Sequence, residues 1–135
     1  PKGAIEFFHG YTYSAIPCSV AAGLAMQDIF EKEDLFNRSK EMSPYFLDGL
    51  FSLKDIEGIA DIRGYGMMGG IDLRMDERLG KAGYACFKSL FASGLSLKAT
   101  GDCLIVAPPF ISEKKHIDEI IEKLRTGITN YFKDQ

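Results

Sequence analysis

The chain has 135 residues, 46% of them hydrophobic, and a formal net charge of −3. That is enough apolar material for one folded domain and excludes a disordered segment. The mixed, slightly acidic charge gives no electrostatic footprint for nucleic acid or an anionic membrane surface, and neither a membrane span nor a signal peptide is expected.

Residues 1–16 are rich in aromatics and glycine, among them Phe7, Phe8, His9, Gly10, Tyr11 and Tyr13, with no clean period, and read as an irregular, partly buried loop. Pro17 then opens a helix at a position where its missing N–H is harmless, with Ser14 as the expected cap. From Cys18 to Phe30 this helix is small and apolar nearly all round, through Val20, Leu24, Met26 and Ile29. A helix apolar on every side must be buried on every side. In so short a chain, that points to burial against something the chain does not contain.

A second helix is expected over about 34–53, with Leu35, Phe36, Met42, Phe46, Leu47, Leu50 and Phe51 as its apolar stripe. Pro44 should kink or divide it. Residues 59–73 read as strand, tight turn, strand around Gly64, Gly66, Gly69 and Gly70. A third helix runs from about Arg78 to Ala92, with Ala82, Ala85, Cys86, Leu90 and Phe91 inward and Gly94 at its end. Residues 95–98 and 103–107 form a hairpin across Thr100-Gly101-Asp102, and Pro108-Pro109 stops that sheet. The last helix carries Ile117, Ile120, Ile121, Leu124, Ile128 and Phe132 at helical spacing, with Ser112 as cap and Glu113 in the first turn. The order predicts an α+β domain whose antiparallel sheet is covered by helices on one face.

Few residues point to chemistry by themselves. Gly64-Tyr65-Gly66-Met67-Met68-Gly69 fits G-x-G-x-x-G, but Ile71-Asp72-Leu73 alternates as a strand where a dinucleotide fold needs a helix, so a glycine-rich strand turn is expected. His9 and His116 stand apart from each other and from the cysteines, so no metal site and no catalytic residue is assigned. Arg63 can bind a carboxylate through its planar fork, but an ion pair with Asp61 or Asp72 is the favoured reading. Thr12 and Lys98 read as a turn hydroxyl and a solvated charge. The three cysteines, Cys18, Cys86 and Cys103, lack C-x-x-C spacing and are expected as free thiols in a reducing compartment, the cytoplasm.

Three segments, taken in order, carry a family resemblance. Phe8-His9-Gly10-Tyr11-Thr12-Tyr13-Ser14 with Pro17 resembles the H-G-[FY]-T-Y-S-G-H-P segment of class III aminotransferases of the omega-amino acid:pyruvate type, and the small apolar helix after it matches that family's alanine-rich helix. Arg63-Gly64-Tyr65-Gly66-Met67-Met68-Gly69-Gly70 resembles the family's R-G-x-G-[LM]-[LMW]-x-G strand pair. Lys98-Ala99-Thr100-Gly101-Asp102 followed by Pro108-Pro109 and a helix resembles its R-x-x-G-D…P-P segment.

The resemblance implies the small C-terminal domain of a fold-type I transferase that depends on pyridoxal 5′-phosphate (PLP), with residues 1–30 as the cofactor-phosphate loop and interdomain helix and 31–135 as the small domain. It implies a homodimer or higher homo-oligomer, in which Tyr11 and Thr12 reach the phosphate of the neighbouring subunit's cofactor. Lys98 stands where many omega-type members carry an arginine that holds the substrate carboxylate. The Schiff-base lysine belongs to a large domain with no matching segment here, so this part alone is expected to be inactive. A start at Pro1, without methionine, is expected of a processed or truncated chain rather than of a native start. The parent enzyme would move an amino group from an amino acid or amine to a keto acid such as pyruvate. The competing expectation is a stand-alone α+β ligand-binding or regulatory module that uses the turn around Gly66 and packs residues 1–30 on itself.

Overall fold

A helix must bury its apolar stripe and a sheet its apolar face, so side-chain patterning decides which elements can meet. The computed structural model of the chain describes residues 9–74 and 79–133. Phe7 and Phe8 of the aromatic loop, and Arg78 at the expected start of the third helix, lie outside the described residues. The chain divides into two units, Pro1–Asp34 and Leu35–Gln135.

In the first unit, a turn precedes helix α1 (Pro17–Lys32). Proline takes the first helical position as expected, but Ser14 is not the cap. The cap position falls to Ile16, whose side chain has no acceptor, while the Ser14 N–H donates to the Tyr11 carbonyl at 2.9 Å and closes the preceding turn. Proline fixes where the helix begins, and Ser14 lies too far upstream for its hydroxyl to reach the first amides. No side chain of α1 is buried.

The second unit contains α2 (Leu35–Phe51), a short 3-10 turn (Ser52–Asp55), β1 (Ile59–Tyr65), β2 (Met68–Leu73), α3 (Lys81–Ala92), β3 (Lys98–Thr100), β4 (Cys103–Val106) and α4 (Lys114–Lys133). The sheet is antiparallel throughout, in the order β1-β2-β4-β3. Both hairpins turn on two residues with glycine first. Gly66 lies between the paired Tyr65 and Met68, and Gly101 between the paired Thr100 and Cys103, each at a φ of +59°. Glycine in that place is the mark of a II′ turn, whose twist matches that of the strands.

The register sorts the sheet into two faces, because directly paired residues point the same way. Ile62, Ile71 and Leu104 share one face, joined by the paired Gly69 and Val106. That face is buried with Phe46 and Leu50 of α2, Cys86 and Leu90 of α3, and Ile117, Leu124 and Ile128 of α4. The result is the α+β layer arrangement expected from the sequence.

Several local expectations change. Helix α2 runs unbroken through Pro44. Packing of Met42 before the proline, and burial of Phe46 and Leu50 after it, holds both halves to one core and outweighs the lost hydrogen bond. Phe36, Phe51 and Phe91, expected inward, are exposed. The cap of α4 is not Ser112, which is buried in the preceding loop. Helix α4 starts one residue later, at Lys114. The Glu113 carbonyl accepts the His116 and Ile117 amides, and its own N–H donates to His116 Nδ1 at 3.0 Å. An imidazole thus takes the returning half of a capping box. Helix α3 closes as the sequence suggests. Gly94 N–H donates to the Phe91 carbonyl and Leu95 N–H to the Leu90 carbonyl, the paired bonds of a Schellman end.

A Cβ at Gly83 would stand 2.1 Å from the Gly101 carbonyl oxygen and 2.8 Å from the Asp102 Cα, both backbone atoms. Gly83→Ala should therefore destabilise the protein by about 1–3 kcal/mol, read by chemical denaturation. The Cys86 thiol is pushed up from 9.0 to about 11 by burial. The unfolded chain ionises first, so the Cys86 contribution is intact below about pH 9 and is lost as pH rises towards 11. Between those values wild type should lose on the order of 2 kcal/mol more than Cys86→Ala, a difference visible in paired melting curves.

Candidate functional site

The turn before α1 is built from donors and aromatic surface. Tyr11 is 72% exposed and Tyr13 is 84% exposed, with Thr12 exposed between them. His9 meets the Tyr11 ring edge-on, with ring centroids 4.7 Å apart. Ala15 is held at a φ of +58°, a left-handed conformation that costs a residue with a Cβ roughly 1–2 kcal/mol. Strain of that kind persists where the surrounding structure requires the shape. The helix that follows has no side-chain cap and no acidic residue in its first turn. Among the described residues, its first turn therefore sets no carboxylate of its own against its first amides and the positive end of its dipole. A threonine hydroxyl, turn amides and an uncapped helix start form a donor set that suits a phosphate.

In the second unit, the sheet face away from the helices carries the charged groups. Pairing puts Arg63 opposite Gly70, Asp61 opposite Asp72, Asp72 opposite Cys103, and Gly70 and Lys98 both opposite Ile105. Arg63 grips Asp72 with both terminal nitrogens, the Nη2–Oδ1 bond measuring 3.0 Å, and it lies 3.5 Å from Asp61. The arginine fork is thus filled by the protein's own carboxylates, as the ion-pair reading expects. The hydrogen bond from Arg63 holds the Asp72 carboxyl below its usual range, while burial, aided by Asp72, pushes the Cys103 thiol up. An open, mostly apolar groove of about 830 Å³ runs along this face past Arg63, Met68, Gly70, Cys103, Ile105 and Phe110.

Lys98 is exposed at the start of β3, the edge strand, on this same face. The glycine-rich segment expected as a strand turn is the β1–β2 hairpin, and no helix opens within it. Its glycines serve close packing: a Cβ at Gly64 would lie 2.5 Å from Leu47 Cδ2, and one at Gly69 would lie 2.1 Å from Leu50 Cδ2. Tyr11 and Thr12 thus share one turn of the first unit, while Lys98 belongs to the sheet of the second.

The sequence marks Asp102 only as a turn residue. In the structure it is 7% exposed, and its carboxylate accepts the Gly80 N–H at 2.7 Å and the Gly83 N–H at 3.0 Å. It therefore caps α3 from the β3–β4 turn. The cap position of α3 is itself Gly80, which has no side-chain acceptor. The missing cap at the start of α3 was the available signal, but nothing local to α3 names a donor's partner 19 residues away. Among the described residues no cluster of His, Cys, Asp and Glu could hold a metal, and no helix is long and apolar enough to cross a membrane. Cys18, Cys86 and Cys103 are free thiols.

Comparison with known proteins gives one consistent result. The family model Aminotransferase class-III matches residues 2–128. An omega-aminotransferase of Caulobacter vibrioides is 40% identical over 122 residues, covering 90% of this chain and 28% of that protein. A beta-alanine–pyruvate aminotransferase of Pseudomonas aeruginosa is 35% identical, again over 90% of this chain and 28% of its own length. The crystal structure of an adenosylmethionine-8-amino-7-oxononanoate aminotransferase from Methanocaldococcus jannaschii superposes with a TM-score of 0.79 at 31% identity, covering 93% of this chain and 30% of that one. The chain thus spans a little over a quarter of the length of the curated relatives it matches.

Ala15 stands where the resembling segment has glycine, and its positive φ explains the preference. Ala15→Gly should stabilise the protein by up to about 1 kcal/mol, because the relief of strain exceeds the roughly 0.4–1 kcal/mol gained by the unfolded chain. Ala15→Val should do the reverse, and the order of the three melting temperatures checks the claim.

Proposed function

The chain belongs to the class III aminotransferases, and from that premise we propose that it is the C-terminal part of a PLP-dependent enzyme that moves an amino group from an amino acid or amine to a keto acid such as pyruvate. The family's cofactor is pyridoxal 5′-phosphate, which when bound supplies the electron sink that makes amino-group transfer possible. The work of this chain is to bind and orient. Residues 1–30 serve as the phosphate loop and interdomain helix, and 31–135 form the small domain.

One observation carries the reading: an exposed turn at Tyr11 and Thr12, with no acidic side chain of its own, leads directly into an apolar helix with no buried side chain. A surface of that kind needs a partner. A homodimer, or a higher homo-oligomer, supplies one if the turn of one subunit reaches the cofactor phosphate held by its neighbour. The Tyr11 main chain and the Thr12 hydroxyl then donate to phosphate oxygens, and the dimer becomes part of the site. Lys98, exposed on the open sheet face, holds the substrate carboxylate through charge without a second, parallel hydrogen bond. Arg63 cannot replace it while Asp72 and Asp61 occupy its fork. Free thiols suit a cytoplasmic enzyme. A stand-alone ligand-binding module would instead have to bury α1 within its own fold.

The test is a subunit-mixing experiment in the full-length enzyme. Thr12→Ala should weaken cofactor binding about tenfold or more, the usual cost of a charge-assisted hydrogen bond, without changing the oligomeric state. Mixing it with a variant that lacks the cofactor-bearing lysine should restore tight binding at one site per dimer, where an intact lysine meets the partner's intact Thr12. Cofactor titration of the purified mixed dimer reads the result. Restoration to neither site would sink the idea that Thr12 acts across the interface.

A further inference from the structure

We propose that Asp102 is a positioning residue for Lys98, and so sets how the enzyme recognises the carboxylate of its substrate. The inference rests on the reading of Lys98 as the carboxylate contact. It starts from the weakness of β3, which has three residues, lies at the sheet edge and pairs with β4 alone. Lys98 begins that strand, and a flexible lysine stem gives no fixed geometry of its own. The position of its ammonium group therefore depends on how firmly the backbone of β3 is held.

The firm end of β3 is the turn. Thr100 pairs with Cys103 across Gly101 and Asp102. The Asp102 side chain turns away from the strands and takes two amides at the start of α3, those of Gly80 and Gly83. Gly83 lies flat against the turn, with the Gly101 oxygen and the Asp102 Cα where a side chain would begin. The turn is thus bolted to a helix whose Cys86 and Leu90 sit in the core. Lys98 is two residues before the closing pair, in direct register with Ile105. Core, α3, Asp102, turn and β3 form one unbroken mechanical path to the ammonium group. Without the Asp102 carboxylate, two amides, that of Gly83 buried, lose their acceptor and the turn loses its tie to α3, so Lys98 is no longer held at one distance from a substrate.

The test uses the full-length, cofactor-loaded enzyme with two substrates, a short amino acid and a primary amine of similar length without a carboxylate. Asp102→Ala should raise the ratio of the KM for the amino acid to the KM for the amine about tenfold, the scale expected when a contact group is misplaced by a fraction of an ångström. Asp102→Asn, which keeps one acceptor and the side-chain shape, should give a smaller rise and guards against a variant that fails to fold. Propionate, a carboxylate with no amine to react, should lose affinity by the same factor in calorimetry. Lys98→Ala should raise the same ratio, and the double variant should be no worse than Lys98→Ala alone, because both changes remove one contact. Equal losses on both substrates in the aspartate variants, or effects that simply add to those of Lys98→Ala, would show that Asp102 serves the fold alone and overturn the proposal. A Lys98→Ala enzyme with an unchanged ratio would overturn the carboxylate reading itself, a failure distinct from the first.

Discussion

In the second unit, one buried carboxylate ties the outer hairpin to a core helix. Asp102 belongs by sequence to a hairpin turn and by hydrogen bonding to the start of a helix. A helix start leaves several amides without intrahelical partners, and α3 has only glycine at its own cap position. The aspartate supplies the acceptor from across the fold. In return, α3 fixes a hairpin whose outer strand has only three residues. Helix α3 is seated by Cys86 and Leu90 in the core, and its contact with Asp102 passes that support on to the turn. Such an arrangement makes a cooperative fold, because losing the cap loosens the strand and losing the turn exposes the helix start.

Close packing around that link explains the distribution of glycine. Gly83 lets the helix lie against the turn backbone, and Gly64 and Gly69 let α2 press Leu47 and Leu50 onto the β1–β2 hairpin. The same letters, read as a pattern, imitate a dinucleotide fingerprint. What separated the two readings in the sequence was the segment after the last glycine: Ile71-Asp72-Leu73 alternates with the period of a strand, and in the structure Ile71 and Leu73 are buried while Asp72 turns to the opposite face with Arg63. Periodicity decided correctly because it reports which face is buried, whereas a glycine motif reports only where a backbone is approached.

The order of elements, the antiparallel sheet and the core stripes of α2 and α4 could all be read from the sequence, since each follows from repeating patterns several residues long. Caps could not. Ser14 and Ser112 both have the chemistry of a cap and lie close to a helix start, yet one closes a turn and the other is buried in a loop. A cap depends on the exact residue at which the helix begins, and that is fixed by Pro17 in one case and by a histidine reaching back to Glu113 in the other. Phe36, Phe51 and Phe91 failed for a different reason. They lie at the margin of a helical stripe, where a small rotation of the helix decides between core and surface, and the sequence does not contain that rotation.

The candidate site divides along the same line. Tyr11, Thr12 and Lys98 have no feature that distinguishes them from ordinary turn and surface residues when taken singly, and they stood out only through their place in three ordered segments. On the proposed reading, the surroundings of two of these residues matter. Around Thr12, a strained Ala15 and an uncapped helix start show a turn shaped at some cost and left rich in donors. Around Lys98, the neighbouring arginine is already engaged by Asp72, so a carboxylate arriving on that face meets the lysine as the charge not held by those aspartates. A lysine in place of an arginine keeps the attraction but gives up the geometric specificity of a planar fork. If Lys98 holds the substrate carboxylate as proposed, that specificity has to come from elsewhere, through control of where the lysine's backbone lies. A short edge strand bolted through Asp102 to a core helix is a direct way to do so.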